Sequence, residues 1–293
     1  MHILLTGSTG FIGSNLLKFL LQKDFIVHAL RRSEQRQPKV MLPFEPHWVD
    51  KSLEDLSEDD FTGIDILVHL AAHSANYPYD DLHGCLYYNL ILPLRVFELA
   101  NRCGVKKYLV TGSSFEYGLS GNNYDYIPAY APLEPTQTYP ASKAAASIAF
   151  MQWATQKNVS LSLCRIFQAY GPGEQSNRLW PSLVEAATNG SNFELTSGDQ
   201  IRDFIYIDDV VKILYKECVT LYQQPLETLA IVNIGTGKPQ QLYDFCKKIW
   251  THYCAKGVII RGAKPNRPGE ILRLVPCLKV YYPGNAEFSK ISP

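Results

Sequence analysis

The sequence has no surplus of either charge: Lys+Arg and Asp+Glu both number 28 in 293 residues. No long-range field of one sign draws nucleic acid or an anionic membrane, so any phosphate must be gripped locally. There is no C-x-x-C pair and no Cys/His cluster at metal-ligand spacing among the seven scattered cysteines, Cys85, Cys103, Cys164, Cys218, Cys246, Cys254 and Cys277. Free thiols in a reducing compartment are expected, with no metal. No run of about 18 apolar residues occurs, and "MHILLTGSTG" passes into a strand pattern without a charged region followed by an apolar one. A soluble, cytoplasmic protein is the expectation. Internal repeats, low-complexity tracts and a flexible linker are missing as well.

What is present is alternation. The runs at 2–6, 25–30, 47–50, 65–70, 107–112 and 161–166 are short, apolar and β-branched, while "FIGSNLLKFLLQK" and "GCLYYNLILPLRVFELANRCG" carry apolar residues at helical spacing. Strand and helix in turn predict an α/β fold, a Rossmann-type doubly wound parallel sheet. Its strands are nearly all apolar, as helices on both faces require. After "YGPGE" the elements shorten and Pro, Asn and Gly increase, which predicts a smaller C-terminal substrate-binding lobe. The expected division is a cofactor domain over 1–170, with 208–235 returning to it, and a lobe formed mainly by 171–293.

"TGSTGFIG" places Gly7, Gly10 and Gly13 between the first strand and first helix. That turn permits a sharp bend, close approach of backbone to a pyrophosphate, and tight helix-to-strand packing. NAD sites carry a carboxylate near the end of the second strand, but this chain reads "HALRRS", with Leu30 where the acid would stand, then Arg31 and Arg32. Two guanidiniums suit the 2′-phosphate of NADP(H); two solvated arginines opening a loop are the other reading of the same residues.

Two Tyr-x-x-x-Lys spacings occur, "YPASK" at 139–143 and "YDFCK" at 243–247, and in a chain with 18 tyrosines about one is expected by chance. Context separates them. The first opens a helix, with Pro140 tolerated only in its first turn, and follows "TGSSFEYG" at a strand end, where a parallel sheet presents its ligands. The second lies in a helix whose Leu242, Phe245, Cys246 and Ile249 form an apolar stripe, with Lys247 on the solvated face. A phenol with an ordinary pKa near 10 needs a cation beside it to exchange protons near neutrality, and Lys143 lies one helical turn from Tyr139.

Together these segments resemble the extended short-chain dehydrogenase/reductases, the nucleotide-sugar epimerases, dehydratases and reductases. "GDQIRDFIYIDDVV", "VNIGTGKPQQLYDF", "RIFQAYGPGE" and "RPGE" extend the likeness over nearly the whole chain. The resemblance implies Ser113, Tyr139 and Lys143 as the catalytic trio. It implies cofactor contacts from Thr9, Phe11, Ile12, Asp50, Leu70, Ala71, Ala72 and Asn89 in addition to the glycines, and substrate contacts from Ser114, Phe115, Gln168 and Arg178. Arg202 and Arg267 match arginines that hold a diphosphate; an ion pair of Arg202 with Asp203 or Asp208 is the alternative. Sugar dehydratases of the family carry an Asp-Glu pair where this chain has Ser114 and Phe115, which argues against dehydration. The implied activity is NADPH-dependent reduction of a nucleotide-linked 4-keto-6-deoxyhexose by a homodimer, similar to CDP-abequose and CDP-paratose synthases, in deoxysugar or O-antigen synthesis. An NAD-dependent 4-epimerase and a non-catalytic NADP-binding protein are the alternatives.

Overall fold

The computed structural model describes residues 1–266 and 269–283. The first part of the chain runs β1 (His2–Thr6), α1 (Phe11–Leu20), β2 (Ile26–Arg31), β3 (His47–Asp50), β4 (Ile66–His69), α2 (Leu82–Leu86), α3 (Leu92–Arg102) and β5 (Lys107–Ser113). It continues with α4 (Thr138–Lys157), β6 (Ser160–Ile166), β7 (Gln168–Tyr170), α5 (Leu179–Asn189), β8 (Phe193–Glu194), β9 (Ile201–Arg202) and β10 (Phe204–Tyr206). Last come α6 (Ile207–Gln223), β11 (Leu229–Ile234), β12 (Gln240–Gln241), α7 (Leu242–His252), β13 (Ile259–Ile260) and β14 (Arg273–Leu274).

Seven of these strands form one parallel sheet in the order β11-β6-β5-β4-β1-β2-β3. Alternation along each strand sends successive side chains to opposite faces. Ile3, Leu5, Ile66 and Val68 meet Leu16, Leu17 and Leu20 of α1 and Val210 and Leu214 of α6 on one face. Leu4, Leu67, Tyr108 and Val110 meet Val96 and Phe97 of α3 and Phe150 and Trp153 of α4 on the other. Each large apolar side chain removed from water in these layers contributes about 1.5–3 kcal/mol, and both faces are covered.

A smaller cluster, Leu183, Leu195, Phe204, Phe245 and Cys246, packs α5 and α7 against the short strands of the later part of the chain. α6 and β11 leave that region for the main sheet, where β11 pairs with β6. Tyr243 and Lys247 lie on α7, with Phe245 and Cys246 buried and Lys247 exposed. Among the described residues no helix is long and apolar enough to cross a membrane.

The strand order reverses direction at β1, which has β2 on one side and β4 on the other. A crevice opens at such a point, beyond the carboxyl ends of the strands.

Candidate active site

The glycine turn is shaped by backbone contact. Gly7 has φ +71°, and a Cβ there would lie 2.6 Å from the backbone nitrogen of Ala71. A Cβ on Gly13 would lie 2.0 Å from the carbonyl oxygen of Gly7, so α1 could not seat so closely on β1. Gly10 is the N-cap of α1, exposed, with no capping side chain and no acidic residue in the first turn. The backbone N–H groups of that turn and the positive end of the helix dipole thus face the crevice, a site that fits a dinucleotide pyrophosphate.

A cavity of about 620 Å³ begins there. Of the residues expected at a cofactor, Gly7, Thr9, Gly10, Phe11, Ile12, Gly13, Arg31, Arg32, Leu70, Ala71, Ala72, Tyr139 and Lys143 line it. Asp50 and Asn89 do not. The Asp50 carboxylate accepts Arg31 Nε–H at 2.5 Å. Asn89 is buried with its amide occupied: it accepts from His73 N–H at 2.8 Å and donates to the His73 carbonyl and Ser142 Oγ. It clamps the loop after β4 to α4 instead.

β2 ends at Arg31, one residue beyond Leu30; the Leu30 side chain packs in the core, and the residue borders the cavity together with Arg31. The Arg31 guanidinium lies 4.2 Å from the Trp48 ring centroid as well as on Asp50. Arg32, Arg36, Lys39 and Lys51 line the same end of the cavity. Lys51 pairs with Asp60, whereas Arg32, Arg36 and Lys39 have no carboxylate within 4 Å among the described residues. The neutral chain therefore concentrates cations locally, and Arg36, Lys39 and Lys51, which sequence reading passed over, belong to that group.

At the inner end stand Ser113, Tyr139 and Lys143. Ser113 ends β5, and its Oγ accepts the Phe115 N–H at 3.2 Å. Tyr139 and Lys143 lie on α4 and are 8% and 4% exposed. Lys143 Nζ donates to the carbonyl of Thr111 at 2.7 Å, which fixes it under the β5 end. Burial pushes the Lys143 ammonium down, with Glu116 opposing. Burial likewise pushes the Tyr139 phenol above its ordinary value, with Glu116 and Tyr79 adding to it and Arg178 opposing. Lys143, expected from the sequence to lower it, is not among the groups that shift it; burial holds the phenol protonated. The Tyr79 ring lies 5.4 Å from that of Tyr139. His69, at the end of β4, is held neutral, its pKa driven down to about 3 by burial and then by Lys143, and its Nδ1 is 2.8 Å from Thr6 Oγ1.

A second cavity, of about 350 Å³, adjoins the first through Asn76, Phe115, Gln168 and Arg178, which line both. Ser114 faces the first only, and Arg202 the second. Arg202 pairs with neither Asp203 nor Asp208. Its Nη2 donates to the Ile271 carbonyl at 2.6 Å and lies 3.6 Å from Glu270 Oε1, and burial pulls its pKa down to about 10, Glu270 opposing. Asp203 is buried against Thr236 and Lys238 backbone N–H groups, which takes it out of reach. Arg267 lies outside the described residues.

Glu174 was not anticipated. It lines the first cavity with a side chain 5% exposed, accepts Arg178 Nε–H at 3.4 Å, and leaves Oε2 buried without a partner. Burial drives its pKa up to about 7, with Arg178 opposing. A carboxyl with a raised folded pKa stabilises the fold fully below its unfolded value, and that contribution is lost as pH rises through the folded one. Wild-type stability should therefore decline by about 3 kcal/mol from this group between pH 4.5 and about pH 7, at about 1.36 kcal/mol per pH unit. Urea unfolding of Glu174→Gln should show that decline removed; an unchanged pH slope would refute the assignment.

These elements form a crevice that fits a dinucleotide at the end of a parallel α/β sheet, and sequence comparison gives the family. The profile of the NAD dependent epimerase/dehydratase family matches residues 3–235, and the chain belongs to that family. It is 28% identical to the CDP-abequose synthase of Salmonella muenchen over 277 residues, covering 92% of this chain and 87% of that protein. Among solved structures it is 27% identical to TunA, an NAD-dependent NDP-hexosamine 5,6-dehydratase, with a TM-score of 0.78 over 94% of this chain and 89% of that one. MoeE5, solved with UDP-glucuronic acid and NAD, is similar in fold at 24% identity, with a TM-score of 0.80 and coverage of 95% and 90%.

Proposed function

We propose that the protein reduces the 4-keto group of a nucleotide-diphospho-4-keto-6-deoxyhexose with NADPH, and that the nucleotide is CDP. The observation that carries this reading is the buried pair Tyr139 and Lys143, set where a cavity walled by the glycine turn meets one walled by Arg178 and Arg202. The likeness to a CDP-abequose synthase supports the CDP-linked substrate.

When bound, the nicotinamide supplies the hydride that reaches C4. Tyr139 donates its proton to the ketone oxygen, so carbonyl, hydride and proton together make the alcohol. A phenol held protonated by burial suits a donor, whereas an epimerase must first use it as a base. Lys143 stabilises the phenolate left behind, and Ser113 Oγ–H orients the oxygen. Arg202, Arg178 and the expected Arg267 hold the diphosphate by charge-assisted hydrogen bonds. Arg32, Arg36 and Lys39 support a 2′-phosphate on the cofactor ribose. We place the homodimer contact at the exposed Ile91 and Ile148, to be tested by sedimentation.

One observation favours a second reading, an NAD-dependent 4-epimerase: Arg31 is already engaged by Asp50 and Trp48. The two separate in one assay. Purified protein is offered NADPH or NADH with CDP-, dTDP- and GDP-linked 4-keto-6-deoxysugars, and loss of reduced-cofactor absorbance is followed. Turnover at least tenfold faster with NADPH supports the reductase; tightly retained NAD with no net oxidation supports the epimerase.

A further inference from the structure

Behind Ser113 the fold buries a carboxylate completely. Glu116 sits in the 3₁₀ turn Ser114–Tyr117, and its side chain runs into the interior and not into either cavity. Oε1 accepts the backbone N–H of Ser113 at 2.7 Å. Oε2 accepts Ser147 Oγ–H at 2.6 Å and Arg165 Nε–H at 2.8 Å. Arg165, on β6, also donates to Tyr117 Oη at 3.0 Å and to the Ala129 carbonyl at 2.9 Å, and Tyr117 donates to Asn233 Oδ1 on β11 at 2.6 Å. The fit is close enough that a Cβ on Gly112 would lie 2.5 Å from Glu116 Oε1.

A buried ion pair is weak evidence for stability, since apolar residues of similar volume can do as well. Its position suggests another use. Tyr139, Lys143 and Ser147 follow one another at intervals of four on α4 and so form one stripe. Glu116 is anchored at the Ser147 end of that stripe and on the backbone of Ser113, touching all the elements that carry the expected trio.

We infer that Glu116 is a positioning residue, a buried anion that fixes Ser113 through its N–H and serves as the counter-charge for Lys143. The inference rests on the proposed reading of Tyr139 and Lys143 as the reacting pair. Electrostatics support it: Glu116 is the one charged group opposing the loss of the Lys143 proton through burial, among the described residues. Other titratable groups around this stripe are Tyr139 on α4 itself, the neutral His69 on β4, Arg165 on β6, whose charge is matched by Glu116, and Tyr79, Cys85 and Arg178, which act on Tyr139.

The test needs neither substrate nor cofactor. The protein is labelled with ¹⁵N-lysine, the Lys143 Nζ resonance is assigned with Lys143→Arg, and its titration is followed in wild type and Glu116→Gln. Removing an opposite charge should move the Lys143 midpoint to lower pH by about one unit. Because Glu116→Gln leaves Arg165 without its anion, the double variant E116Q/R165M, which removes both charges, is titrated too, with the same downward move expected. Coincident midpoints in a variant with wild-type circular dichroism overturn the inference. A moved midpoint in a protein that reduces no ketone upholds the Glu116 assignment and rejects the proposed reaction instead.

Discussion

Tyr139→Phe should lower ketone reduction by about a hundred- to ten-thousand-fold, the range for loss of a positioned proton donor. The substitution is nearly a pure deletion of chemistry. The ring is buried and packs on Tyr79, and both properties survive in phenylalanine. Cofactor affinity, read by fluorescence titration, should therefore remain within a few-fold of wild type while kcat falls. Unchanged turnover in this variant would mean that the proton comes from another group, and the proposed mechanism would fail at its first step.

Arg165→Met should destabilise the fold by about 3–5 kcal/mol, the usual consequence of stripping a buried ion of its partner. Arg165 and Glu116 are 4% and 0% exposed, so water cannot replace the lost cation. The loss should shrink in E116Q/R165M, where neither member of that ion pair is left as a buried charge without the other. Urea denaturation of the single and double variants measures both. A double-variant loss equal to the sum of the Glu116→Gln and Arg165→Met losses would show that the pair carries no coupling and that Arg165 acts through Tyr117 and Ala129 alone.

Local signals were the most readable. The glycine turn, the apolar strands and the proline in the first turn of α4 each follow from short-range sterics, and the central sheet follows from their repetition. The end of the second strand was read one residue short: it closes on Arg31, while Leu30 packs in the core and also borders the cavity. Polar partnerships were not readable, because their members lie far apart in the chain. Arg202 meets Glu270 and not the adjacent Asp203, and Glu116 gathers Ser147, Arg165 and, through Tyr117, Asn233. Nothing in the local wording of "TGSSFEYG" tells an acid at 116 that folds inward from one that faces a ligand. The signal that could have raised it is an acid placed between aromatic residues at a strand end, where exposure to water is hard to obtain. Glu174 escaped for a related reason: its raised pKa arises from burial that only the assembled cavity wall supplies.

Asn76, Phe115, Gln168 and Arg178 belong to both chambers, so the two share a wall. If occupying one side moves that shared wall, binding on the two sides would be linked, and such a linkage would be reciprocal. On the proposed reading, a change at Gln168 or Arg178 would then alter the dissociation constants of both cofactor and nucleotide sugar, the mark of a partition held in common.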